Sequence, residues 1–130
     1  MINLLEAIQM YHIEKCNSAE IEKYKSVYSL KLNWCSENPE ENQCYKITKD
    51  GNTIAMIEFG IKLCGYISID NFEVFNKRQG LGKSIIKSLI SSTGEKYCLY
   101  SKDKASNSFW QAAGFILRDD GLGTPMFYSE

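Results

Sequence analysis

The amino-acid sequence predicts a single α/β domain, of the α+β kind, in which helices flank a twisted, mixed but mostly antiparallel sheet. The chain has 130 residues, a length typical of one domain with one hydrophobic core, so residues 1–130 are treated as one unit. Three strand-like segments follow one another in the middle of the chain, over Cys44–Thr48, Thr53–Lys62 and Gly65–Val74. A strand–helix–strand unit occupies the second half, which favours a layered sandwich over a bundle or a barrel.

Helical periodicity and capping residues predict the elements of the first third. Asn17 and the glutamate three residues later have the spacing of a capping box, and apolar residues continue at helical spacing, so we expect a helix over Ala19–Leu32. A short helix over Met1–Met10 and a strand over Tyr11–Lys15 are expected before it. A polar, proline-containing loop is expected over Ser36–Asn42.

Turn signals bound the remaining elements. The Asp50-Gly51 pair is a strong hairpin signal between the first two central strands. An amphipathic helix begins after Gly82 and ends at Gly94. Four more elements are expected beyond it: a strand over Tyr97–Tyr100, a helix over Ala105–Ala113, and strands over Phe115–Leu117 and Met126–Tyr128.

The third central strand contains a break in its alternation. Ile67 and Ile69 place apolar side chains at odd positions, whereas Phe72 and Val74 continue at even positions. One residue of slip turns every later side chain to the other face of a strand. The pattern predicts either a bulge near Asp70–Asn71 or a strand that is buried on both faces.

Composition narrows the possible functions and locations. The net charge is −1, which disfavours a globally basic nucleic-acid binder. The sequence has no apolar run of membrane-spanning length and no basic leader, so we expect a cytoplasmic protein without a membrane anchor. Five scattered cysteines and a single histidine lack the spacing of a zinc site, so no metal is expected and the cysteines are expected to be reduced.

The chain's local basic segment joins an apolar strand to an apolar helix. It reads Lys77-Arg78-Gln79-Gly80-Leu81-Gly82-Lys83, and residues 74–94 contain no acidic side chain. Free N–H groups and the dipole at a helix N-terminus favour an anion, and glycine lets the backbone approach it. The segment predicts a phosphate-binding site; the alternative is a glycine turn with solvated lysines.

Two common phosphate motifs do not fit this segment. A P-loop requires glycine where this chain has Lys77, and a dinucleotide fingerprint requires a third glycine where it has Ile85. Nucleotide hydrolysis and dehydrogenase chemistry are therefore disfavoured.

The segment resembles the acetyl-coenzyme A signature of the GCN5-related N-acetyltransferase (GNAT) family, Gln/Arg-x-x-Gly-x-Gly/Ala, with Lys77 at the first position. A second family element, Asn-x-x-Ala-x-x-Phe-Tyr followed by three residues and Gly-Phe, is similar to residues 103–115. Asp103, Ser106 and Trp110 replace its asparagine, alanine and tyrosine. The resemblance covers Thr53–Phe115, about half of the chain.

The resemblance implies an N-acetyltransferase whose cosubstrate is acetyl-coenzyme A and whose acceptor is an amine, reacting directly in a ternary complex. Hydropathy and the balanced charge disfavour a membrane or nucleic-acid partner, and the protein is expected to be a monomer or homodimer. By position in the two motifs, and in Phe72–Val74, which resembles the family's fourth strand, the residues expected to contact the coenzyme are Phe72, Val74, Lys77, Arg78, Gln79, Gly80, Leu81, Gly82, Lys83, Asp103, Ser106, Phe109 and Trp110.

The resemblance also implies catalytic groups. A carboxylate is expected to take the amine proton, and Glu73 is predicted for this role, with Asp70 and Glu58 as alternatives. The family's tyrosine protonates the departing thiolate, but indole cannot act as an acid near neutral pH. Tyr128 is predicted as the acid, with Tyr100 and Ser108 as alternatives. Trp110 also supports a second hypothesis, that of a degenerate member that binds coenzyme A or a partner without turnover.

Overall fold

A computed structural model describes residues 11–35, 43–77, 80–101, 104–119, 121 and 125–130. These residues form a seven-stranded mixed sheet and three helices, which confirms the predicted fold class. In chain order the elements are β1 (His12–Lys15), α1 (Ser18–Tyr28), β2 (Cys44–Lys49), β3 (Asn52–Leu63), β4 (Tyr66–Val74), α2 (Leu81–Thr93), β5 (Lys96–Leu99), α3 (Lys104–Ala112), β6 (Ile116–Arg118) and β7 (Met126–Tyr128). The predicted helix over residues 1–10 and the predicted loop over residues 36–42 lie outside the described residues.

The sheet has the strand order β1-β2-β3-β4-β5-β7-β6. The strands from β1 to β4 pair antiparallel in sequence, and β7 pairs antiparallel with both β5 and β6. Between them, β4 and β5 pair in parallel, which requires a long crossover, and α2 supplies it. Each of the three described helices is too short or too polar to span a membrane.

Two tight hairpins set the register of the central strands. Asp50 and Gly51 connect β2 to β3 with φ angles of 52° and 80°, as the sequence predicts. Cys64 and Gly65 connect β3 to β4 in the same way, with φ angles of 51° and 87°. Two successive left-handed residues are typical of the type I′ turn, whose twist matches that of the flanking strands.

Helix α1 is shorter than its hydrophobic pattern predicts. The capping box is present, because the backbone N–H of Glu20 donates to Asn17 Oδ1 at 2.8 Å and that of Asn17 donates to Glu20 Oε1 at 3.1 Å. The helix ends at Tyr28 instead of Leu32, since Ser29 adopts a left-handed conformation with φ 49° and ψ 52°. The apolar residues beyond Ser29 still pack against the core, but as irregular chain.

The structure confirms the bulge in β4. Asn71 pairs with Glu58, and the next pair along the ladder joins Ile69 to Phe59, so Asp70 has no partner on β3. This extra residue keeps Ile69 and Phe72 on the same face of the sheet, because it compensates for the change of parity in the sequence. The register therefore decides between the two readings that the sequence leaves open.

The sheet separates two hydrophobic clusters. The larger lies on the face covered by α2 and α3, here called the helix-pair face, and includes Ile57, Ile69, Ile86, Leu99 and Trp110. The smaller lies on the opposite face, here called the α1 face, and consists of Cys16, Ile21, Tyr24, Trp34, Cys44, Met56 and Phe75.

Cys64→Asn is expected to stabilise the protein. A left-handed conformation costs most residues roughly 1–2 kcal/mol, and asparagine is among the side chains that reduce this cost. We expect the melting temperature to rise by about 2–4 °C, measured by differential scanning calorimetry. Gly65→Ala is the control, because its Cβ has open space but its φ of 87° is strained for alanine, so the melting temperature should fall. A fall in both variants would contradict the assigned turn.

Candidate functional site

A gap opens in the sheet between β4 and β5. The two strands pair only from Tyr66 to Ser68, opposite Lys96 to Cys98. Strand β5 then ends at Leu99, whereas β4 passes through its bulge and continues to Val74, paired on its other side with β3. Backbone groups of the second half of β4 therefore face the gap instead of a neighbouring strand.

The gap holds a small cleft of about 90 Å³ that is partly open to solvent. Strand β4 contributes four consecutive residues to it, and the other lining residues come from β5, from the chain after β5, from α3 and from the chain after α1. The lining residues are Leu32, Ile69, Asp70, Asn71, Phe72, Leu99, Tyr100, Ser101, Ser106 and Trp110. The cleft thus connects the helix-pair face to the α1 face.

Aromatic rings form the helix-pair side of the cleft. Trp110 is only 7% exposed, and its ring centroid lies 6.2 Å from that of Phe72, 4.9 Å from that of Phe109 and 5.0 Å from that of Phe115. Edge-on contacts of this kind stabilise an aromatic cluster beyond the area it buries. This packing holds the Trp110 ring in the wall of the cleft, so the ring contributes to the hydrophobic core.

Helix α2 begins beside the cleft, a short distance beyond the end of β4. Gly80 precedes its first residue with a left-handed φ of 82°, and a Cβ atom there would meet open space. The first turn contains no acidic side chain, and none of the described side chains caps its N–H groups, while Lys83 is exposed. This arrangement fits an anion such as a pyrophosphate, because N–H groups, dipole and charge all favour one.

Gly82 has a second role that its sequence pattern does not reveal. A Cβ atom on Gly82 would lie 2.9 Å from Phe109 Cε1 and 3.5 Å from Val74 Cγ2. The glycine therefore allows α2 to pack closely against α3 and the end of β4. The two sequence motifs, which are far apart in the chain, touch at this point.

The structure places most of the residues predicted to contact coenzyme A around the cleft and the start of α2. Phe72 and Val74 lie on β4, Lys77 is exposed beyond it, Gly80–Lys83 begin α2, and Ser106, Phe109 and Trp110 lie on α3. Arg78, Gln79 and Asp103 lie outside the described residues. The coenzyme contacts themselves stay predictions.

The two residues predicted as catalytic are not among the residues that line the cleft. Glu73 is buried on the α1 face, where its oxygens accept three hydrogen bonds from the chain after α1. Tyr128 lies on β7, where its ring packs edge-on against Tyr66 and its hydroxyl contacts Met126 Sδ at 3.8 Å. Their catalytic assignments stay predictions. Tyr100, an alternative to Tyr128, does line the cleft and is 59% exposed.

Two carboxylates lie close together on the α1 face beside the bulge. Asp70 lines the cleft, and Ser68 Oγ donates to its Oδ1 at 2.7 Å. Asn71 Nδ2 donates to Glu58 Oε1 at 2.8 Å. Burial raises the pKa of the Glu58 carboxyl, the bond from Asn71 lowers it, and the charge of Asp70 raises it again, with a net rise. A raised pKa brings a carboxylate closer to the range of a useful proton acceptor.

Leu32, Leu99 and Ser101 line the cleft but were not predicted from the sequence. Leu99 is the last residue of β5, and Ser101 follows two residues later. The predicted end of this strand is the sequence signal that could have identified both residues. Leu32 comes from the irregular chain after α1, and no local pattern marks it. Its position depends on contacts with β4 that are distant in sequence.

No protein-family model matches the sequence, and no curated protein does. Solved structures do match. An acetyltransferase from Salmonella typhimurium, which modifies the N-terminal serine of a 50S ribosomal subunit protein, is similar over 92% of this chain and 94% of its own, with a TM-score of 0.65 and 11% identity. A GNAT-family acetyltransferase from Staphylococcus aureus is similar over 91% of this chain and 97% of its own, with a TM-score of 0.61 and 16% identity.

This chain has the GNAT fold. A third structure of the same fold is the diaminobutyrate acetyltransferase of Paenibacillus lautus, solved with L-2,4-diaminobutyric acid and coenzyme A. It is similar over 91% of this chain and 93% of its own, with a TM-score of 0.58 and 13% identity. At these identities the similarity establishes the GNAT fold, and the function has to be argued from the site.

Replacing Glu58 in this GNAT-fold protein is expected to change stability in a pH-dependent way. Because folding raises the pKa of Glu58, its ionisation in the folded state costs stability, and this cost appears as the pH rises through the folded-state value. Glu58→Gln removes the cost and keeps an oxygen for Asn71. The variant should gain melting temperature over the parent at pH 7–8 but not at pH 4.

The control for this prediction is Glu22→Gln, because Glu22 lies on the exposed side of α1 in a surface ion pair with Lys25. It should show no such dependence on pH. An equal gain for Glu58→Gln at both pH values would contradict the raised pKa.

Proposed function

We propose that this protein is an acetyl-coenzyme A-dependent N-acetyltransferase that transfers the acetyl group to an amine by direct attack in a ternary complex. The observation that carries the proposal is the open cleft between β4 and β5, with the start of α2 beside it. A long ligand with a pyrophosphate within it and a thin arm beyond the pyrophosphate matches this shape. Structural neighbours that are acetyltransferases, one of them solved with coenzyme A, support the same reading.

The coenzyme is proposed to bind along β4 and α2. The backbone N–H groups of Gly80–Lys83 would hold the pyrophosphate, with Lys77 and Lys83 adding charge, and Arg78 and Gln79 are proposed to join them. The pantetheine arm would pair with the exposed backbone edge of Phe72–Val74 and run over the rings of Trp110 and Phe109. The acetyl group would then reach the α1 face through the gap.

The reaction needs one proton acceptor and one proton donor. The neutral amine nitrogen forms a bond to the thioester carbonyl carbon, the carbon–sulfur bond breaks, and the nitrogen's extra proton passes to a carboxylate.

Burial raises the pKa of the thiol of Cys98, which lies opposite Ser68 at the closed end of the gap, and this supports direct transfer over an acyl-cysteine route.

Asp70 and Tyr100 are the proposed acid–base pair among the candidates named from the sequence. Both line the cleft, whereas the oxygens of Glu73 are already engaged by three N–H donors. Tyr100 is exposed, and its phenol hydroxyl can donate a proton to a thiolate. The indole of Trp110 cannot fill this role.

A second candidate function is binding of coenzyme A without turnover. The observation that favours it is the packing of Trp110 into the aromatic cluster, where the family's tyrosine would otherwise stand. The two functions share the coenzyme site and differ only in whether an amine is acetylated. The cytoplasmic location and the monomeric or dimeric state stay predictions.

Coenzyme A is expected to stabilise the fold. At a concentration 100 times its dissociation constant the gain is about 2.7 kcal/mol, which corresponds to a melting-temperature rise on the order of 10 °C for this size of domain. Lys83→Glu should weaken binding by about 10–100-fold, because it places a negative charge in the first turn of α2. Isothermal titration calorimetry of the parent and variant measures this.

Lys87→Glu is the matched control, since Lys87 is exposed one turn further along the same helix. It makes the same change of net charge outside the first turn, so its effect should be several-fold smaller. Equal losses in the two variants, or no stabilisation of the parent at millimolar coenzyme A, would contradict the proposed pyrophosphate site.

Turnover separates the two candidate functions. Thiol release from acetyl-coenzyme A is measured with L-2,4-diaminobutyrate, L-lysine, spermidine and a peptide that begins with serine. The N-acetyltransferase proposal expects amine-dependent release with at least one acceptor class, at a rate that Asp70→Asn lowers by about 10²–10⁴-fold. Coenzyme binding without release for any acceptor would instead support the binder.

A further inference from the structure

Glu73 is the buried charged side chain among the described residues, at 8% exposure. Its Oε2 accepts from the backbone N–H of Lys31 at 2.6 Å. Its Oε1 accepts from the backbone N–H of Leu32 at 3.1 Å and from Trp34 Nε1 at 2.9 Å. A buried carboxylate is costly unless hydrogen bonds replace its hydration, and here three N–H groups of one short segment do so.

The segment that Glu73 binds has little regular structure of its own. The left-handed Ser29 ends α1, and residues 30–35 are neither helix nor strand. The N–H groups of Lys31 and Leu32 would lack an acceptor on a sheet or helix, and the carboxylate provides one. Asn71 adds a second tie to the same segment, because its Nδ2 donates to Asn33 O at 3.3 Å.

The same segment forms part of the cleft. Leu32 lines it together with Asp70, Asn71 and Phe72. Phe72 and Val74 pack towards the helix-pair face, so Glu73 between them points to the α1 face. Under the proposed function the coenzyme starts at α2 on the helix-pair face, and its acetyl group emerges on the α1 face. Leu32 therefore stands where the acceptor amine would approach.

We infer that Glu73 is a positioning residue: its carboxylate clamps residues 31–34 against β4 and thereby sets the acceptor-side wall of the cleft at Leu32. This inference rests on the proposed function. It gives Glu73 a role other than the proton acceptor predicted from the sequence, because three donors already occupy its oxygens. Apolar contact at Leu32 then selects acceptors that carry an aliphatic group beside the reacting amine.

Glu73→Gln tests the clamp. The amide keeps one acceptor oxygen and replaces the other by an NH₂ group, which cannot accept, so the N–H of residue 31 or that of residue 32 loses its acceptor. With the amine from the panel above that the parent acetylates fastest, the acceptor KM should rise about tenfold or more, because a displaced wall misplaces the acceptor. The kcat at saturating acceptor and the coenzyme A affinity should each change less than about threefold, and the pH profile should keep its shape.

Amide hydrogen exchange, measured by NMR, tests the clamp independently of enzyme activity. In Glu73→Gln the exchange of at least one of the Lys31 and Leu32 amides should quicken by about tenfold or more, and the indole N–H resonance of Trp34 should shift. Should this variant fail to fold, Trp34→Phe removes a single donor and should raise the acceptor KM by a smaller factor. Leu32→Ala removes the wall side chain and keeps the clamp, so it should raise the KM without quickening amide exchange at residue 31.

The outcomes separate three cases. A fall in kcat with loss of the acidic limb of the pH profile, at unchanged acceptor KM, would make Glu73 the proton acceptor and overturn the inference. Unchanged exchange at residues 31 and 32 would overturn the clamp itself. A parent that neither binds coenzyme A nor releases thiol overturns the proposed function and the acceptor role with it, and the exchange data then report only the structural tie.

Discussion

The extra residue in β4 is the constraint on which the site depends. Asp70 has no partner on β3, and without it either Ile69 or Phe72 would turn out of the hydrophobic core. The same irregularity occurs where β4 leaves β5, so one residue both preserves the core and opens the sheet. Asp70 itself is one of the residues that line the cleft beside the bulge. Packing and site geometry thus have a common origin.

The two faces of the sheet contribute different kinds of structure to the cleft. The helix-pair face supplies aromatic packing around Trp110 and a helix N-terminus whose N–H groups no described side chain caps. The α1 face supplies polar groups and an irregular segment whose conformation depends on the carboxylate of Glu73. A rigid half suits a constant cosubstrate, whereas a segment held by a few hydrogen bonds suits an acceptor that differs between proteins of the same fold.

Local patterns predicted the elements well, and long-range contacts explain the differences. The parity change between Ile69 and Phe72 was enough to place the bulge, and the two glycine-containing motifs were enough to predict the fold. Periodicity overextended α1 to Leu32, because the apolar residues after Tyr28 do pack inside but their backbone N–H groups bond to a side chain of β4. The role of Leu32 could not be predicted for the same reason: its neighbour in space is some forty residues away in the chain.

The contact between Gly82 and Phe109 has a consequence for the history of such sequences. A Cβ atom at position 82 would lie 2.9 Å from the ring of Phe109 on α3, so a side chain there requires that ring to shift, whether or not a coenzyme binds. Packing therefore favours glycine at position 82 of this chain independently of any ligand, and its replacement is expected to require a smaller residue at 109. Positions 82 and 109 are accordingly expected to covary.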